Sequence, residues 1–163
     1  MKVASSNEIK KALQSLDSKE VVNICMTLAK YKKDNKELLS FLLFESDDIH
    51  QYMEEVKGMI DDYFDYVEIR GFKDLIKKIR KIIRLSNKYI KYSSSKRVEV
   101  DVSIHLCRKL VPFVKKLDSV TIKNIYIKQL DKIEKSLSKL EEDLQFDYIN
   151  DLENLKRINN DHN

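Results

Sequence analysis

Lys73, Lys77, Arg80, Arg84, Lys88 and Lys91 recur at steps of three and four residues, with Lys81 at their edge. On a helix that spacing stacks side chains along one side. The seven cations would form a ridge able to meet the phosphates or carboxylates of an acidic macromolecule, either nucleic acid or an acidic protein face. Tyr89 and Tyr92, near the end of the ridge, could stack on bases. The same residues also fit a solvated face, partly neutralised by an acidic helix that precedes them through exposed pairs contributing about 0 to 1 kcal/mol each. No helix-turn-helix, glycine-bearing loop or nucleic-acid-binding signature accompanies the row.

Other constellations lead to weaker chemistry. Glu54, Asp61, Asp65 and Glu68 line one side of a helix and could attract a cation, but they lack the oxygen-rich loop that calcium sites use. Asp47-x-x-His50 resembles half of the acid-and-histidine ligation of di-iron bundles. A second such motif is missing, since His105 follows Val102 at that spacing and His162 sits near the end of the chain. His105 and Cys107 are two apart and face different ways on a helix, a poor nucleophile and base pair. There is no P-loop and no dinucleotide fingerprint. The expectation is a non-catalytic interaction module with no catalytic residue, metal or cofactor. A structural or adaptor protein that oligomerises through its C-terminal helix is the alternative.

The elements that must position the ridge are helices. Two glycines and one proline in 163 residues leave little punctuation for strands and turns. A chain of this length can bury roughly 70% of its unfolded surface around one core. The class expected is all-α: a single compact domain over 1–163, built of antiparallel helix pairs, about seven helices in all. The net charge of +4 conceals an asymmetry. Residues 45–68 hold nine acids against Lys57, and residues 70–97 hold eleven bases against Asp74. An acidic helix therefore runs into a basic one across 47–92, with Gly71 as the stop between them. Gly58, inside the acidic helix, suggests a close helix crossing or a bend.

Within 1–44 three short helices are expected. Ser5 with Glu8 and Asp17 with Glu20 form capping boxes, and Asp34 with Glu37 marks a third start. The second helix is apolar over more than half its circumference and should be largely buried. The third, through Leu38, Leu39, Phe41, Leu42, Leu43 and Phe44, is apolar all round and belongs at the centre of the core, sharing it with Ile79. VEVDV at 98–102 alternates like a strand, yet Val100, Ile104, Cys107, Val111 and Val114 keep a helical step, so 97–117 reads as a helix kinked by Pro112.

A seam of Tyr126, Leu130, Ile133, Leu137, Leu140 and Leu144 then marks a long C-terminal helix over 120–158, capped by Ser119. Unbroken, it would be about 58 Å long, against a globule roughly 40 Å across. It should bend near Phe146 or project, and packing within a monomer is favoured over a homodimer. Cys25 and Cys107 read as separate reduced core thiols. With no apolar run of signal-peptide length and none long enough to span a bilayer, a cytoplasmic protein without membrane contact is expected.

Three stretches occur together: KKDNKELL at 32–39 running into FLLFE, KKIRK at 77–81, and EDLQFDY at 142–148. In this combination the chain resembles an uncharacterised family of small all-helical bacterial proteins with no assigned activity. The resemblance implies a bacterial, cytoplasmic, single-domain protein and transfers no functional residue.

Overall fold

The computed structural model describes residues 2–65 and 70–160, and these form an all-α protein with eight α-helices and no strand among the described residues. The chain divides into two compact units, Met1–Glu45 and Ser46–Asn163.

The first unit holds α1 (Ser6–Gln14), α2 (Ser18–Tyr31), α3 (Lys33–Ser40) and a π-helical turn (Phe41–Glu45). Both expected capping boxes form: the Ser5 and Asp17 side chains accept from the Glu8 and Glu20 backbone N–H groups, and the two glutamates reach back. The third start differs. Helix α3 begins at Lys33 with no side-chain cap, and Asp34 falls within its first turn.

Burial in this unit corrects the reading of the sequence. Helix α2 has no buried residue, and Phe44 is 80% exposed, whereas Phe41 is 4% exposed. The reason is arithmetic of layers. Helices α2 and α3 pack on each other, with the Asn35 side chain donating to the Leu28 carbonyl at 2.8 Å. A 45-residue unit has no further layer to cover their outer faces. The apolar circumference of 38–44 therefore does not make that stretch the centre of the fold.

The centre is α6 (Lys96–Lys116) in the second unit, which packs against α4 (Ile49–Asp65), α5 (Phe72–Ser93), α7 (Val120–Leu137) and α8 (Glu142–Asn160). Val98, Val100 and Val102 are fully buried on it, although they alternate in sequence. A helix surrounded by four others buries residues at nearly every angle, which masks the helical period. It runs through Pro112 without a break; that residue is exposed and sits four positions before the end of the helix. The core joins Leu75, Ile76 and Ile79 of α5 to Ile104 and Leu110 of α6, Tyr126 and Ile133 of α7, and Leu152 and Leu155 of α8.

Two further expectations are corrected. No helix spans 120–158, because the chain turns at Ser138–Glu141 rather than near Phe146, which lies exposed in α8. No glycine or proline marks that turn. Packing imposes it, since folding back is what lets Leu152 and Leu155 reach the core. Gly58 is not at a close crossing either: α4 is continuous there, and a Cβ would meet nothing within 4 Å. Gly71 precedes α5 with φ of 149°, a conformation that side chains resist. Val67, Glu68 and His162 lie outside the described residues.

Candidate polyanion interface

Helix α5 separates two faces. Leu75, Ile76, Ile79, Ile82, Ser86 and Ile90 are buried, and the cations lie on the opposite side. Lys73, Lys77, Arg80, Lys81, Arg84 and Lys91 are exposed, whereas Lys88 is half-buried with its ammonium 5.1 Å from the centre of the Tyr89 ring. The helix ends at Ser94, held in the left-handed conformation at φ 52°, and Ser95 caps α6.

What the ridge pairs with is decided by the neighbouring acids. Tyr52 donates to the Tyr89 carbonyl at 2.8 Å and Lys81 lies 5.4 Å over the Tyr63 ring, so α4 and α5 run antiparallel, as the sequence suggested. The described carboxylates of α4 nonetheless look elsewhere. Asp61 Oδ1 meets Lys109 Nζ at 2.8 Å and His105 Nε2 at 2.6 Å on α6. Glu54 meets Lys57 at 2.9 Å, and Lys57 also meets Asp101 of α6. On α5 itself Asp74 binds Lys78 at 3.0 Å. Among the described residues, Lys73, Lys77, Arg80, Arg84 and Lys91 have no ion pair. Asp61 and Lys57 fasten α4 to α6, and no ion pair among the described residues joins an α4 carboxylate to these five cations.

The electrostatics agree. Burial pushes the Asp61 carboxyl up, but hydrogen bonds from Lys109 and His105 outweigh it and leave its pKa below the ordinary carboxylate value. Its charge is thereby fixed at neutral pH in an internal tether. The tyrosines are engaged as well: Tyr89 and Tyr92 are half-buried and meet edge to face, their centroids 5.8 Å apart, so neither offers a free stacking platform.

The remaining constellations come apart. His50 is exposed, and Asp48, not Asp47, accepts from the Gln51 backbone at the start of α4. His105 is turned to Asp61, while Cys107 is buried in the core, where burial pushes its thiol up to about 12. No group of three metal-ligating side chains occurs among the described residues, and no helix there is long and apolar enough to cross a membrane.

A polar cavity escaped the reading of the sequence. It lies at the turn from α5 to α6 and takes Lys91 and Asn87 from α5, Lys96 and Glu99 from α6, and Lys132 from α7. Lys132 could not be foreseen, because no spacing rule brings a residue of α7 to the end of α5. No family model, curated protein or solved structure matches this chain.

Proposed function

We propose that the protein is a non-catalytic interaction module whose α5 ridge docks nucleic acid. The observation that carries this reading is the row of Lys73, Lys77, Arg80, Arg84 and Lys91, exposed and without ion pairs among the described residues. The row is about 27 Å long at 1.5 Å per residue. Uncompensated cations along one line attract a polyanion whose charges also follow a line. Release of its condensed counterions then drives binding.

Fluorescence anisotropy with a labelled duplex and a labelled single strand tests this over a salt series. The variant Lys77→Gln/Arg80→Gln/Arg84→Gln should melt within a few degrees of the parent, because exposed charges contribute little to stability. It should lower the slope of log affinity against log salt by about 3, one for each phosphate that is no longer neutralised. Absence of binding at low salt, or an unchanged slope, would sink the proposal. Binding of polyglutamate in preference to both nucleic acids would reassign the ridge to an acidic protein.

A further inference from the structure

The cavity at the α5–α6 turn measures about 420 Å³ and draws its walls from three helices. Three ammonium groups, those of Lys91, Lys96 and Lys132, share it with the single carboxylate of Glu99. That carboxylate is unevenly divided. Its Oε2 stands 2.6 Å from Lys96 Nζ, a charge-assisted hydrogen bond, and its Oε1 stands 3.6 Å from Lys132 Nζ, too far for one.

Lys132 turns instead to the neutral Asn87 Oδ1 at 2.6 Å. It is the more enclosed of the two lysines beside Glu99, and burial, ahead of the pull of that carboxylate, leaves its pKa below the ordinary lysine value. Such a depression marks positive charge that its surroundings do not fully compensate. Lys91 has no ion pair among the described residues. One carboxylate against three ammonium groups leaves a local excess of two positive charges.

We propose that this cavity binds a phosphomonoester, its dianion seated among Lys91, Lys96 and Lys132. A phosphomonoester carries about −1.5 to −2 at pH 7, which matches the excess, whereas a phosphodiester or a carboxylate supplies only half of it. The Ser95 hydroxyl adds a donor at the rim. The volume falls within the range of about 300 to 1,000 Å³ typical of small-molecule sites. Two sources share this chemistry: a free mononucleotide, and the terminal phosphate of a strand lying along the ridge. The site stands independently of the ridge, with which it has only Lys91 in common.

Calorimetric titration tests it with four probes: adenosine 5′-monophosphate, adenosine, and a short oligonucleotide with either a 5′-phosphate or a 5′-hydroxyl. The monophosphate or the phosphate-ended strand should bind, adenosine should not, and Lys91→Gln and Lys96→Gln should each weaken that binding about tenfold. Preference for the phosphate-ended strand over the monophosphate assigns the site to strand ends, and comparable affinity assigns it to a free ligand. The ridge variant Lys77→Gln/Arg80→Gln/Arg84→Gln should keep its affinity for the monophosphate, so failure of the ridge and failure of the cavity are read apart. The proposal is overturned if the phosphorylated probes bind no better than their unphosphorylated counterparts. It is equally overturned if both lysine variants, folded, keep the parent affinity.

Discussion

The Tyr126 hydroxyl of α7 donates to the backbone carbonyl of Leu155 on α8 at 3.1 Å, in the interior of the second unit. This bond fastens the C-terminal helix after its reversal at Ser138–Glu141. Tyr126→Phe keeps the ring and removes the donor, so it should cost about 1 kcal/mol. In urea the midpoint should fall with the slope unchanged. A variant as stable as the parent would show that α8 is held by Leu152 and Leu155 alone.

Placing α6 rather than α3 at the centre makes a second, comparative prediction. Leu110→Ala, within the core of the second unit, should cost about 2 to 5 kcal/mol. Phe44→Ala removes an exposed ring and should change stability by less than about 0.5 kcal/mol. Equal losses at the two positions would contradict this distribution of burial.

Gly58 supplies a test of opposite sign. Its helical site is open to solvent, so Gly58→Ala meets no obstruction and should stabilise the protein by about 0.5 to 1 kcal/mol. A loss of stability would reveal a close neighbour at that position.

The tether of Asp61 to Lys109 and His105 predicts a pH dependence. Because the folded carboxyl has a lowered pKa, the stability it contributes is fully present above the unfolded value of about 3.9, and it is lost as pH falls through the lower folded value. Asp61→Asn should therefore lower the melting temperature at neutral pH and make little difference in strong acid. The group is partly exposed, so the neutral-pH effect should be about 1 kcal/mol or less. A gap between parent and variant that stays constant down to pH 2 would argue against the tether.

The two thiols should separate kinetically. Cys107 is fully buried with its thiol pushed up to about 12, and Cys25 is half-exposed beside an apolar groove of the first unit. Ellman's reagent at neutral pH should modify one thiol per native chain and two only after denaturation. Rapid modification of both in the native protein would show that α6 is not shielded.

Local signals were the most legible part of the sequence. The capping boxes at Ser5 and Asp17, the Ser119 cap and the split of α5 into an apolar and a cationic face depend on residues three or four apart, and all are present. Global placement was not legible. The stretch 38–44 looks more central than α6 because Leu42, Leu43 and Phe44 are adjacent, whereas α6 carries Asp101, His105 and Lys109 among its valines. Those charges mark a buried helix only once their partners on α4 are known. The reversal before α8 leaves no stop residue, and the cavity depends on Lys132, a residue remote in sequence from the α5–α6 turn.

The central position of α6 also governs how the second unit is completed on the ribosome. Helices α4 and α5 are synthesised before it, and their apolar faces lack this partner until residues 96–116 have emerged. Helix α6 in turn waits for α7 and α8, so the core closes only once Leu155 is free. At 5 to 20 residues per second, the stretch from Lys96 to Leu155 takes roughly 3 to 12 seconds to make. During that interval the cationic face of α5 is already synthesised while its apolar face lacks its full complement of partners.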